Sequence, residues 1–196
     1  MTGEEQEEGR AGTAVAERER GTAISRWAAA FLNGAGMLAA ITAAAILVET
    51  LLLPVLQIYG SSMEPALHEG DYVIALRYAA PGRGDVVAFY NNSKILVKRV
   101  IALPGEQVAL DEDGRVYING EQLDEPYLEK TAFGGCDIGL PCQVPEGKVF
   151  VMGDNRGVSV DSRNSSVGFV SKEQLIGKLV FRVWPRGMGQ PDKNKE

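Results

Sequence analysis

Ile95-Leu96-Val97-Lys98-Arg99-Val100-Ile101-Ala102-Leu103 is an apolar run with two adjacent cations at its centre. The Asn91-Asn92-Ser93 turn precedes it and Pro104-Gly105 follows, bounds that suit a β-strand. Strand side chains alternate between faces, so Leu96, Lys98 and Val100 share one face and Arg99 stands on the other. Similar short runs flank it: Asp71–Leu76 and Asp85–Tyr90 before, Lys148–Met152 and Leu179–Val183 after. Asp113-Gly114 and Asn119-Gly120 bracket Arg115–Ile118, giving two hairpin signals in succession. Only Ser171 to Ile176 hints at a short helix, with Ser171 as N-cap and Glu173 close behind. The connections are too short for helical crossovers, so the region after Pro54 reads as mainly β and antiparallel.

Upstream the character changes. Residues 1–26 are polar and rich in Glu, without core periodicity, and read as a disordered tail. Trp27 to Val48 carries no charge and matches the roughly 20 residues that cross a bilayer as a helix. The segment before it is too long and acidic for a signal-peptide n-region, and Val48-Glu49-Thr50 is no small-x-small cleavage site. An uncleaved anchor over 27–49 is the expectation. Arg10, Arg18, Arg20 and Arg26 precede the span, and no Lys or Arg follows it until Arg77. The basic-residue bias therefore puts the N-terminus in the cytoplasm and the rest of the chain outside, held in the cell membrane.

A chain of 196 residues has room for one medium domain or two small ones. Its net charge of −6 lacks the basic surface that nucleic acid requires, so nucleic acid is not an expected partner. Cys136 and Cys142 are too few for a structural zinc site. Their short Gly- and Pro-containing loop makes them a disulfide candidate in an oxidising compartment. Neither a metal nor another cofactor is expected.

Three segments carry chemistry. In Gly60-Ser61-Ser62-Met63-Glu64-Pro65, a serine hydroxyl stands on a constrained turn, and Ser61 and Ser62 both qualify. Serine needs a base to become a nucleophile. His68, the one histidine, lies beside Glu69-Gly70-Asp71, a setting that reads as a solvated turn. An amine can serve instead if desolvation strips its proton near neutral pH. Lys98, set between Leu96 and Val100, meets that condition, whereas a guanidinium such as Arg99 does not lose its proton. The competing reading of Lys98 is an edge-strand lysine that reaches back to water. Lys94, at the turn, is expected to be solvated. The third segment, Gly153-Asp154-Asn155-Arg156 through Ser159, Asp161, Ser162 and Arg163, is too rich in Gly, Asp, Asn and Ser for a strand and reads as a hydrogen-bonded loop.

Taken in order, these segments resemble the type I signal peptidases, membrane-bound serine peptidases that remove signal peptides from exported proteins. The matching stretches are Ser62-Met63-x-Pro65, Gly84-Asp85-x-x-x-Phe89, Lys98-Arg99-Val100-Ile101-x-Leu103-Pro104-Gly105-Glu106, and Gly153-Asp154-Asn155-Arg156-x-x-Ser159-x-Asp161-Ser162-Arg163 with Gly168-Phe169-Val170. The resemblance covers about residues 40–186 and selects Ser62 over Ser61 as nucleophile. It implies Lys98 as general base and Ser159 as the hydroxyl that hydrogen-bonds the amine. Asp161 with Arg163, and Asp154 with Arg99, would be supporting charges. The main-chain N–H of Ser62 would serve the oxyanion hole, where Gly60 replaces the Ser or Thr hydroxyl of some members. By analogy, Ile58, Met63, Leu67, Leu96 and Val97 would line shallow pockets for small side chains at −1 and −3 of the substrate. The implied architecture is an antiparallel β catalytic core at 50–106 and 147–186, with a smaller inserted β lobe at 107–146. One N-terminal transmembrane helix would precede it, and 187–196 would be a flexible tail. The implied partners are preproteins bearing signal peptides, the lipid bilayer and the neighbouring export machinery.

Two other readings share some of these signals. A self-cleaving repressor-type Ser-Lys peptidase would need a DNA-binding helical domain, which an acidic tail and an apolar span do not provide. A non-catalytic β module holding signal peptides would not need Ser62, Lys98 and Ser159 together.

Overall fold

The long connection between Leu103 and Lys148 returns the chain to the strand it left, and this places the fold's functional segments side by side. The structure is a computed structural model that describes residues 34–47 and 51–184. Residues 34–47 are helical and exposed throughout. No helix among the described residues is long and apolar enough to cross a membrane. The rest of the expected anchor at 27–49 falls largely outside them, as do the expected tails at 1–26 and 187–196. Residues 1–48 and 49–196 form separate units; the second carries all the strands.

Eleven strands are defined among the described residues: β1 Val55–Gln57, β2 Tyr72–Leu76, β3 Val86–Asn91, β4 Lys94–Ala102, β5 Gln107–Leu110, β6 Val116–Ile118, β7 Glu121–Gln122, β8 Cys142–Gln143, β9 Lys148–Met152, β10 Val170–Ser171 and β11 Leu175–Trp184. They form a seven-stranded sheet in the order β1-β2-β11-β3-β4-β9-β10 and a four-stranded sheet in the order β7-β6-β5-β8. Every strand pair is antiparallel. The mainly β, antiparallel expectation thus holds, and the smaller sheet lies within residues 107–143.

Turn chemistry accounts for the hairpins. Asn119 and Gly120 both have positive φ, as a two-residue turn between β6 and β7 requires. Asn92, also at positive φ, turns β3 into β4. The short helix expected at Ser171–Ile176 is instead a single 3-10 turn over Lys172–Gln174. The Ser171 N–H donates to Gln174 Oε1 at 2.9 Å, so Gln174 and not Glu173 closes the turn. The β-rich run from Leu175 then continues as β11, which enters the large sheet between β2 and β3.

Three apolar clusters hold these layers. One joins Ile58, Met63 and Leu67 to Val73, Ala88 and Leu179. A second joins Ile101, Phe150 and Met152 of the large sheet to Val108, Val116 and Ile118 of the small one. The third gathers Val87, Phe89, Val100, Val151 and Val170. Each fully buried Phe, Ile or Leu contributes roughly 1.5–3 kcal/mol, so the second cluster is what binds the small sheet to the large one.

Cys136 and Cys142 are free thiols, a correction to the disulfide candidate. Cys142 is committed to β8, where it pairs with Val108 and packs against the second cluster. Cys136 Sγ lies 3.7 Å from the Ile138 carbonyl oxygen. Burial pushes the Cys142 thiol pKa up, and the proximity of Cys136 adds to it.

Candidate active site

β3 pairs along its whole length with residues 94–99 of β4, matching Val87 to Lys98 and Val86 to Arg99. Its other edge meets β9 only from Arg99 onward, with Arg99 opposite Met152. The chain leaves β9 directly into Gly153-Asp154-Asn155, so sheet pairing brings that loop to the Lys98-Arg99 step. The β4 edge before Arg99 has no partner strand among the described residues.

Ser62 follows Gly60, which sits at φ +80, a left-handed conformation that favours glycine over Ser or Thr. Gly60 serves the turn and offers no side-chain donor. Behind Ser62 the chain is anchored, because Met63 and Leu67 are buried in the first cluster and the Leu67 N–H donates to the Met63 carbonyl at 2.9 Å. The Asn155 N–H donates to the Ser62 carbonyl at 3.1 Å, tying the third segment to the first. Lys98 Nζ lies 2.6 Å from Ser62 Oγ. Ser61 is exposed.

Lys98 is only 3% exposed. Desolvation pushes its amine down from the ordinary 10.5 to about 8. Asp161 and Asp154 pull it back up, and Arg163 pushes it further down. The edge-strand reading of Lys98 therefore does not hold, while Lys94 is exposed as expected. His68 belongs to another turn, where its main-chain N–H donates to Asp71 Oδ2 at 2.9 Å.

The loop around the amine is held by charge pairs. Arg99 donates to both carboxylate oxygens of Asp154, at 2.8 and 2.6 Å, and to the Gly84 carbonyl at 2.8 Å. Burial raises the Asp154 carboxyl, and Arg99 only partly offsets it. Arg163 donates to Asp161 through Nε at 2.9 Å and through its second terminal nitrogen at 2.8 Å. Burial would raise the Asp161 carboxyl too, yet Arg163 and the Gly153 N–H bring it below its usual value. No group of three or more His, Cys, Asp or Glu among the described residues could hold a metal ion.

Two expectations need correction. Ser159 Oγ is buried without a hydrogen-bond partner, so the bond to the lysine amine implied by the resemblance is not made. The hydroxyl is near enough to Asp161 to favour its carboxylate, short of hydrogen-bond geometry. Gly153 explains why it sits so tightly: a Cβ there would collide with both Ser159 Oγ and the Ser62 carbonyl. Leu67, expected in a substrate pocket, is fully buried in the core, because its place in the turn after Met63 faces the sheet. Ile58, Met63, Leu96 and Val97 do line a cleft of about 710 Å³ that opens on Ser62 and Lys98. Its walls are residues 55–59 on one side and 93–98 on the other.

Three side chains at this centre had no assigned role in the sequence reading. Arg156 forms an ion pair with Glu125, and Tyr127 stacks on Arg99 with its ring 4.1 Å from the guanidinium carbon. The dipeptide neighbours of Glu125 and Tyr127 carry no periodicity; only burial of Tyr127 distinguishes them.

Comparisons with known proteins find relatives of this chain. A family model described as signal peptidase, peptidase S26, matches residues 30–184. A signal peptidase I from Bacillus licheniformis is 38% identical over 154 residues, covering 72% of this chain and 82% of its own. A signal peptidase IB from Staphylococcus aureus (strain N315) is 39% identical over 148 residues, covering 65% and 76%. A solved signal peptidase I from Enterococcus faecalis V583 is 35% identical, with a TM-score of 0.42, covering 52% of this chain and 97% of its own.

Proposed function

We propose, for a chain that belongs to the signal peptidase family S26 and is accordingly a hydrolase, that Ser62 and Lys98 are the dyad with which it cleaves signal peptides. The observation that carries this reading is the 2.6 Å approach of a desolvated amine to a serine hydroxyl at the end of an open cleft. Neutral Lys98 takes the Ser62 proton as Oγ attacks the scissile carbonyl. The Ser62 N–H stabilises the resulting oxyanion. Collapse breaks the C–N bond, Lys98 returns the proton to the departing amine, and an ester to Ser62 remains. Lys98 then deprotonates water, whose attack releases the acid and restores the serine.

The unpaired edge of β4 before Arg99 supports substrate entry as an added strand. Ile58, Met63, Leu96 and Val97 fit small side chains at −1 and −3, and the cleft's apolar walls would exclude longer ones poorly matched to them. Asp161 with Arg163 and Asp154 with Arg99 fix the loop and balance charge around the amine, while Ser159 packs against Gly153. The run at 27–49, uncharged from Trp27 to Val48, is the membrane anchor, with residues 1–26 cytoplasmic and the catalytic region outside, beside the export machinery. Residues 50–106 and 147–186 form the catalytic core, 107–146 the inserted lobe and 187–196 a tail.

Incubating the purified chain with a preprotein in detergent tests the dyad. Ser62→Ala and Lys98→Met are each expected to abolish the product cut after a small-x-small sequence. Retained cleavage by either variant would defeat the reading.

A further inference from the structure

We propose that Glu125 and Tyr127, supplied by the inserted lobe, are positioning residues for the Ser62–Lys98 pair; this rests on the dyad reading above. The two side chains complete a closed circuit of contacts behind the site. Tyr127 presents its ring face to the Arg99 guanidinium, 4.1 Å from its carbon. Arg99 clasps Asp154 through two nitrogens. One residue beyond Asn155, Arg156 donates to both Glu125 oxygens, one of them at 3.1 Å. The Tyr127 hydroxyl donates to Glu125 Oε1 at 2.6 Å, which closes the ring.

Every member is removed from water. Arg99, Asp154, Arg156 and Tyr127 are buried, and the Glu125 side chain is 6% exposed. Two guanidinium and two carboxylate groups give the circuit zero net charge. A buried cation without its partner is strongly unfavourable, so Glu125 is what allows Arg156 to stay. A cation over an aromatic face gains most where water is excluded, which describes Arg99 beneath Tyr127.

The circuit reaches the dyad through the loop it holds. Arg156 Nε donates to the Gly153 carbonyl at 3.1 Å. The Asn155 N–H, between the circuit's Asp154 and Arg156, holds the Ser62 carbonyl at 3.1 Å. Asp154 is also one of the two carboxylates whose field reaches the Lys98 amine, with Asp161 the other and Arg163 opposing them. Glu125 and Tyr127 touch neither Ser62 nor Lys98. They act through Arg156 and Arg99 on the loop's place and on the charge the amine feels. This gives the inserted lobe a part in the reaction in addition to its packing.

The test uses the full-length chain in detergent micelles with a preprotein substrate, reading kcat, KM and the pH dependence of kcat/KM. Glu125→Gln removes one carboxylate and leaves the Arg156 charge uncompensated, which disfavours the ammonium form of Lys98. The acidic limb of the profile should move to lower pH. kcat should fall about 10- to 100-fold, the scale of a small misplacement of reacting groups, with KM within about threefold. Glu125→Asp restores the charge and should return the limb to its wild-type position. Tyr127→Leu should lower kcat more than Tyr127→Phe, which keeps the ring over Arg99. Glu121→Gln, an exposed change in the same lobe, controls for loss of a distant carboxylate and should leave the profile unmoved. Wild-type kcat and limb position in Glu125→Gln and Tyr127→Leu would overturn the proposal, even with the dyad intact. If these variants lose folded near-UV circular dichroism, Glu125→Asp and Tyr127→Phe decide: the shorter carboxylate and the ring without its hydroxyl each loosen the Tyr127–Glu125–Arg156 contacts and should still lower kcat, and wild-type kcat in both overturns the proposal. An active Ser62→Ala chain would instead sink the dyad reading on which the proposal rests.

Discussion

Lys98 and Arg99 are neighbours in one strand, equally hidden from water, and they meet opposite fates. Arg99, on one face of β4, has two hydrogen bonds to Asp154, one to Gly84 and an aromatic ring against it. Lys98, on the other, faces a serine hydroxyl and feels Asp161 and Asp154 only through space. Burial beside a direct partner is compensated; burial without one loosens the amine's hold on its proton. The strand places a permanently charged structural cation beside an amine able to shed its proton, and only side-chain alternation separates the two.

The largest effect should come from making the two alike. Lys98→Arg puts a guanidinium that cannot deprotonate opposite Ser62, and cleavage of a preprotein should fall on the order of 10⁴-fold. Activity within tenfold of wild type would remove the contrast. Stripping the partner from the other cation is the next test. Asp154→Asn leaves Arg99 buried without its carboxylate and should cost about 3–5 kcal/mol in urea denaturation.

A smaller effect has the opposite sign. The Lys98 amine titrates at 10.5 in ordinary surroundings and about 8 in the fold. Between those values the unfolded chain binds the extra proton, so wild-type stability rises with pH across that window. At pH 7 the buried lysine costs on the order of 3 kcal/mol. Lys98→Met should therefore be inactive yet more stable at pH 7, by an amount that disappears above about pH 10.5. Thermal unfolding at both pH values would check it. The smallest effect is electrostatic: Asp161→Asn removes a field that raises the Lys98 pKa. The acidic limb of the pH–rate profile should then shift down by a fraction of a unit.

The difference between the two faces was half legible in the sequence. Alternation along Leu96–Val100 separates Lys98 from Arg99, and flanking apolar residues announce the desolvation. Strand runs at 72–76, 86–91, 94–102 and 148–152 declare themselves by β-branched content between turn residues. What surrounds Arg99 was less accessible. Glu125 and Tyr127 lie in a segment without periodicity and reach the site across 31 and 28 positions, through a second sheet docked on Ile101, Phe150 and Met152. Strands of two residues, such as β7, β8 and β10, are too short for any pattern to register. The Ser171–Ile176 helix was misread because one turn of cap chemistry resembles the start of a longer element. Ser159 shows a different limit: its residue type fits a hydrogen bond to the amine, but its hydroxyl sits in the space left by the missing side chain of Gly153.

All of this depends on a lysine that loses its proton near neutral pH. Its titration can be followed directly by competitive acylation of the Lys98 amine across pH in the full-length chain in detergent, with peptide mapping to isolate that residue. The account requires a midpoint near 8. A midpoint near 10.5 would mean that burial does not free the amine, and the contrast between the two cations would lose its chemical meaning.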